Sequence, residues 1–207
     1  MFRSESILIK YLGLTDYLQT WEEMKYFTAA RDLDTADELW ITEHAPVFTQ
    51  GHNGKPEHLL DTGSIPVIQI DRGGQVTYHG PGQLVLYCLL NLTRLGLGVR
   101  ALVTAIEISV VEFLARYGIE ASARKNAPGV YVNQAKIAAL GLRIRKGCCY
   151  HGLCLNIDMD LSPFNGINPC GLRGQAVTQM VDFGISIETE QAGRELAQLL
   201  IGNIKRG

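Results

Sequence analysis

Leu18, Trp21, Met24 and Phe27 recur at every third position, which puts them on one face of a helix over 15–31. Two short strands are predicted next, near 37–43 and 46–50, parted by His44-Ala45-Pro46. A strand from Pro66 to Asp71 runs into Arg72-Gly73-Gly74, where two glycines admit backbone geometry that other residues resist. Residues 75–79 and 83–91 read as further strands joined by Gly80-Pro81-Gly82. Leu102, Ile106, Val110, Phe113 and Tyr117 make a long amphipathic helix that Gly118 stops. Val130-Tyr131-Val132 and a strand from 136 to about 145 flank a turn at Asn133-Gln134, and 149–158 is another strand. A loop rich in Pro, Asn and Gly carries Pro169-Cys170-Gly171, and a last helix covers about 187–201. The elements interleave without the regular alternation of a doubly wound sheet. The predicted class is therefore α/β of the α+β kind, a mixed, mostly antiparallel sheet packed with helices. No repeat or linker-like stretch interrupts the chain, so one domain over 1–207 is expected.

Strict alternation assigns faces within these strands. Lys136 falls with Ala138, Leu140, Leu142 and Ile144, and Arg143 and Arg145 mark the opposite face as solvated. Cys149 and His151 fall together with Leu153, Leu155 and Ile157, whereas Cys148 and Cys154 fall on the other side. His151 is then expected in the core. The thiols and imidazole of Cys148-Cys149-Tyr150-His151 through Cys154 suit zinc by type but are split between two faces, so no metal is expected.

Composition narrows the classes. The 207 residues are 46% hydrophobic and 19% charged, with a net charge of −2. Mean hydropathy is +0.06 and the pI about 6.2. No global attraction to nucleic acid follows, and no apolar run nears the roughly 18 residues of a membrane span. Met1 to Ser6, with Glu5 and then Lys10, does not read as a signal peptide. Five cysteines without paired spacing (88, 148, 149, 154, 170) fit a reducing cytoplasm. A soluble cytoplasmic protein, taken as a monomer, is expected.

Two residues stand out chemically. Lys136 sits at a strand end, where it either snorkels to water or is buried as a base beside a thiol. Cys170, between Pro169 and Gly171, is placed as a reactive thiol would be, although lone cysteines are commonly inert. A cysteine nucleophile needs a base or cation nearby, which Lys136 or one of the five histidines could supply. Arg72-Gly73-Gly74-Gln75 lacks the spacing of the known phosphate-binding glycine motifs. Arg124-Lys125 and Arg143, Arg145 and Lys146 are either solvated surface or a docking patch.

Taken together, Arg72-Gly73-Gly74-Gln75-Val76-Thr77-Tyr78-His79-Gly80-Pro81-Gly82-Gln83-Leu84-Val85-Leu86-Tyr87 closely resembles the signature of the lipoyl(octanoyl) transferase family. Glu43 to Thr49, Ala135 to Gly141, Asp160 to Phe164 and Pro169 to Leu172 resemble the same family in the same order. The resemblance implies the α/β fold of biotin and lipoate protein ligases, with Cys170 as the acylated nucleophile and Lys136 as its acid/base partner. It also implies an acyl site formed by Arg72, Gly73, Gly74, Gln75, Val76, Thr77, Tyr78, His79, Ala139, Leu140, Gly141, Gly152, Leu153 and Cys154. The family usually has alanine where Cys154 stands. The implied donor is octanoyl-acyl carrier protein. The implied acceptors are lipoyl domains of 2-oxoacid dehydrogenase complexes and the glycine cleavage H protein. No cofactor is implied. The competing activity is ATP-dependent lipoate or biotin ligation, for which no adenylate motif is found. Glycine-rich backbone near 73–74 or 141 could leave N–H groups free to hold the oxyanion, and the sequence does not choose among them.

Overall fold

A computed structural model describes residues 7–206 apart from Asn126 and Leu172, and the side chain of Cys170 also lies outside the described residues. The first half of the chain forms β1 (Leu8–Thr15), α1 (Tyr17–Ala30), β2 (Glu38–His44), β3 (Val47–Gln50), β4 (Val67–Gln69), β5 (Val76–His79) and β6 (Gln83–Asn91). The second half forms α2 (Leu92–Leu95), α3 (Val99–Arg116), β7 (Ser122–Ala123), β8 (Val130–Val132), β9 (Ala135–Arg145), β10 (Cys148–Asn156) and α4 (Thr189–Arg206). Short capping interactions set the boundaries. Asp16 accepts from the Gln19 N–H at 2.9 Å to start α1, and Asn91 does the same for Arg94 at α2.

Seven strands form one sheet in the order β1-β2-β6-β10-β9-β8-β7, parallel only at β1–β2. A second sheet, β4-β3-β5, has one parallel and one antiparallel pair. The expected mixed and mostly antiparallel class is what the chain adopts. On one face of the large sheet, Leu84, Leu86, Cys88 and Leu90 of β6 meet Leu102, Ile106, Val110 and Phe113 of α3. Ala192, Leu196, Leu200 and Ile204 of α4 complete that core. Truncating one of its leucines to alanine costs about 2–5 kcal/mol. The opposite face of β6, through Val85, Tyr87 and Leu89, packs on Met24 of α1 with Trp40, Tyr150 and Cys154. The small sheet lies beside α1: Val47 packs with Tyr17, and Phe48, Val76 and Tyr78 pack with Phe164.

Two strand irregularities overturn the face assignment made from alternation. In β8–β9 the register slips by one, with Val130 opposite Ala138 but Tyr131 opposite Lys136. The extra residue puts both Ile137 and Ala138 into the α3/α4 core. Lys136 therefore emerges with Ala139 and Tyr131 on the opposite face, not with Ala138 and Leu140. In β10, His151 has a φ of +61° within an otherwise continuous ladder. That left-handed residue turns the imidazole away from Leu153 and Leu155 and onto the side of Tyr150, whose ring it stacks on at 5.0 Å. His151 is buried and hydrogen-bonded as expected, but on the Tyr150 side of β10 rather than with Leu153 and Leu155.

Candidate active site

The loop carrying Cys170 is fixed from both sides. Upstream, Leu60 and Asp61 donate N–H bonds to the Gly166 carbonyl at 2.9 and 3.0 Å, and Asn168 donates to the His58 carbonyl at 2.9 Å. Downstream, Lys136 donates its N–H to the Ala176 carbonyl at 2.8 Å and accepts from Thr178 at 3.0 Å. Between these seams lies the short 3-10 turn Pro169–Gly171. The turn with Cys170 is thus tied to the first residues of β9. Lys136 is only 4% exposed; its Nζ donates to the Pro128 carbonyl at 3.2 Å and sits 5.2 Å from the Tyr131 ring centre.

Lys136 lines a narrow chamber with Pro169, Phe164, Thr77, Ala139 and Cys154. Thr77, Ala139 and Cys154 are also the wall of a deeper slot. On the solvent side, Phe164, Pro169 and Val177 are shared with a surface cleft that also has Leu60, Asn165 and Gln175 in its walls. Cleft, chamber and slot follow one another. The slot is narrow, with a cavity volume of about 60 Å³.

Of the residues expected at an acyl site, Arg72, Gly74, Gln75, Val76, Thr77 and His79 line this slot, with Ala139 to Gly141 and Gly152 to Cys154. Gly73 and Tyr78 do not. The Gly73 N–H is engaged by the Leu142 carbonyl at 3.0 Å and is not available to an oxyanion, and Tyr78 packs against Phe48 and Phe164. Tyr17, Val85, Tyr87 and His151 line the slot without having been read as site residues. Tyr87 shared a stretch with the motif, but nothing in its spacing distinguished it from a core residue of β6.

Gly141 and Gly152 face each other across the β9–β10 ladder. A Cβ on Gly152 would meet the Leu86 carbonyl oxygen at 2.0 Å, and one on Gly141 would meet the Gly73 oxygen at 2.9 Å. Only glycine lets the Arg72-Gly73 loop and β6 approach this closely.

The slot is polar in places yet short of charge. His79 Nδ1 pairs with Gln83 Oε1 at 2.7 Å, Gln83 Nε2 donates to Asn156 at 2.9 Å, and Asn156 donates to the Thr178 carbonyl at 2.9 Å. This buried line runs from the slot to the strand of Lys136. His44 Nε2 pairs with the Tyr87 hydroxyl at 2.6 Å. Burial holds His79 down to about 3 and His44 to about 4, so both are neutral near pH 7. Burial likewise raises the Tyr17 and Tyr87 hydroxyls. Arg72 donates to the Thr49 carbonyl and hydroxyl at 2.7 and 2.9 Å.

Asp71 closes one side. It accepts from Trp21 Nε1 at 3.0 Å, from His151 Nε2 at 2.9 Å and from the Tyr150 hydroxyl. Burial opposes its ionisation, but the bonds from His151, Tyr150 and Trp21 prevail and hold the carboxyl far below the usual range. Burial lowers His151 in turn, against the pull of Asp71. Arg143 and Arg145 are exposed, and both lie near enough to Tyr150 to act on its hydroxyl electrostatically. The basic pair read from the sequence therefore borders this end of the slot.

Among the described residues, no group of three or more His, Cys, Asp or Glu is arranged to hold a metal ion. Cys149 gives its Sγ–H to the Cys88 carbonyl at 3.1 Å, and burial pushes its thiol up to about 12. Burial raises Cys88 as well. Among the described residues, no helix is long and apolar enough to cross a membrane.

The lipoyl protein ligase A/B catalytic domain family matches residues 16–200. An octanoyltransferase from Dechloromonas aromatica (strain RCB) is 59% identical over 194 residues, 94% of this chain and 95% of that protein. Among solved structures, a bipartite lipoate protein ligase studied with its E2 lipoyl domain, from Thermoplasma acidophilum, aligns with a TM-score of 0.74 at 15% identity, covering 97% of this chain and 84% of its own. A biotin protein ligase from Aquifex aeolicus aligns at 0.58 and 14% identity, covering 98% and 70%. At such identities these two structures speak for the fold alone.

Proposed function

The chain belongs to the lipoyl protein ligase A/B catalytic family as one of its octanoyltransferases, and on that premise we propose that it moves an octanoyl group from acyl carrier protein to a lipoyl-domain lysine through a thioester on Cys170. The observation that carries this reading is the seam between residues 176–178 and Lys136, with the chamber there sharing Thr77, Ala139 and Cys154 with a mostly apolar slot. Nucleophile, base and acyl site then adjoin.

In the first half-reaction Lys136 Nζ, as the free amine, takes the Cys170 proton, and the thiolate attacks the octanoyl thioester carbonyl. The new S–C bond forms, the carrier's C–S bond breaks, and the leaving thiolate recovers the proton from Lys136. In the second, the acceptor lysine amine attacks the acyl-enzyme. Lys136 takes the amine proton as the amide C–N bond forms and passes it to the Cys170 sulfur as the S–C bond breaks, so Cys170 leaves as the thiol. Thioester exchange is close to balanced and amide formation runs downhill, so no nucleotide is consumed. The chain's methylenes lie in the slot, each worth about 0.8 kcal/mol when buried. The acceptors in this reading are lipoyl domains of 2-oxoacid dehydrogenase complexes and the glycine cleavage H protein. A reducing cytoplasm suits it, since the chemistry requires Cys170 as a thiol and Cys88, Cys148, Cys149 and Cys154 form no disulfide.

Incubation with octanoyl-acyl carrier protein alone, without ATP, is the test. One octanoyl group is expected on Cys170 by peptide mapping, discharged by an apo lipoyl domain and absent in Cys170→Ser. Acylation of Cys154, or transfer that needs ATP, sinks the assignment.

A further inference from the structure

The carbonyl that receives Lys136 Nζ belongs to a peptide gripped from its other edge. The Pro128 oxygen accepts from Lys136 Nζ at 3.2 Å, and the N–H of the same peptide, on Gly129, donates to Glu107 Oε1 of α3 at 3.0 Å. A peptide unit is planar, so its carbonyl and N–H turn together. Glu107 therefore fixes the direction in which the Pro128 oxygen points. Gly129 is buried with a φ of +133°, and a Cβ there would meet Lys136 Cε at 3.2 Å and Nζ at 3.3 Å. The peptide thus lies against the head of the lysine, in a conformation that suits glycine. Tyr131, whose ring flanks Nζ, gives its hydroxyl to the Ala127 carbonyl at 3.1 Å and anchors the same loop one residue earlier. Glu107, half-buried, is not among the described residues lining cleft, chamber or slot, so it acts through this peptide and not on a substrate.

We propose that Glu107 is a positioning residue for the transfer: by holding the Gly129 N–H it aims the Pro128 carbonyl at Lys136 Nζ and keeps the amine directed for proton transfer. This rests on the reading of Lys136 as the proton carrier. A free amine has two N–H groups and one lone pair. Committing one N–H to a fixed carbonyl restricts rotation about Cε–Nζ, and the lone pair keeps one direction. Without Glu107 the Pro128–Gly129 peptide is free to turn, and Nζ loses the acceptor that orients it.

Three variants test it. Glu107→Met keeps length and helix propensity but offers Gly129 no oxygen, Glu107→Ala removes the arm, and Glu107→Gln keeps an accepting oxygen in place. Each is read by acylation of Cys170 from the N-acetylcysteamine thioester of octanoate, as the maximal rate and the half-saturating concentration, beside a thermal melt. With methionine or alanine the maximal rate should fall about 10–100-fold, as when a reacting group is displaced by an ångström or so. The half-saturating concentration should not move, and glutamine should bring the rate back to within a few-fold of wild type. An unchanged maximal rate in both Glu107→Met and Glu107→Ala, while Lys136→Arg is inactive, overturns the proposal. So does a loss that glutamine does not restore, a rate that merely tracks the melting temperature, or unfolding of both variants, since Glu107 is then a strut of the fold. A full acylation rate in Lys136→Arg overturns the underlying reading instead, whatever the Glu107 variants do.

Discussion

Lys136 is buried beneath Tyr131 with the Pro128 carbonyl as an acceptor, so its amine is held in one place rather than sampling solvent. Arginine at this position keeps a positive charge but cannot give up its proton at working pH. Lys136→Arg is therefore expected to fold and to lose about 10²–10⁴ of kcat, the span of a general acid–base contribution. Steady-state turnover with octanoyl-acyl carrier protein, alongside a thermal melt to verify folding, decides it; near-wild-type kcat would leave Lys136 only a fixed-charge role. Cys170 and Lys136 were singled out because motifs flanked both residues. The orientation of Lys136, like that of His151, was not legible. Alternation put Lys136 with Leu140 and His151 with Leu153, and one extra residue in β9 and one left-handed residue in β10 reversed both. Each irregularity delivers a polar side chain to the slot side of the sheet. Periodicity has no term for either, because a bulge or a positive φ at a non-glycine residue leaves no composition signal. Asp71 was read only as the end of a strand, although it anchors His151, Tyr150 and Trp21.

At the scale of elements, the strands with clean alternation or dense apolar runs were found close to their observed limits, as at β6 and β9. β1 was missed. Its Lys10 and Gly13 break the pattern, and it forms by parallel pairing with β2, slipping register between Tyr11 and Gly13. Such an edge strand depends on its neighbour more than on its own sequence. β10 depends on glycine where it crosses β6, since Gly152 leaves no room for a Cβ against the Leu86 carbonyl. Gly152→Ala should destabilise the fold by about 1–3 kcal/mol, as overpacking does, lowering Tm by roughly 2–12 °C for a chain of this size. Differential scanning calorimetry measures it. An unchanged Tm would mean that β6 and β10 separate at no cost.

Over the whole molecule the net charge is only −2, so docking of the proposed donor, an acidic carrier protein, has to rest on local charge. Arg143 and Arg145 stand exposed beside the Asp71–Tyr150 end of the slot. Rim charges mainly raise the on-rate, and screening removes the effect beyond a Debye length of about 10 Å at 0.1 M salt. Reversing both to Glu should lower kcat/KM for octanoyl-acyl carrier protein and flatten its fall with salt, leaving a small octanoyl thioester unaffected. Equal losses with both donors would place these residues in some role other than docking. The α3/α4 core has a consequence for how the protein comes into being. α4 lies late in the chain, yet Ala192, Leu196, Leu200 and Ile204 cover the face of β6 laid down a hundred residues earlier. While the ribosome is still making residues 92–188, Leu84 and Leu86 have no lid over this part of their surface. Folding of the central sheet thus waits for α4 to be synthesised, and a nascent chain exposes apolar strand in the interval, when it is most open to chaperone capture.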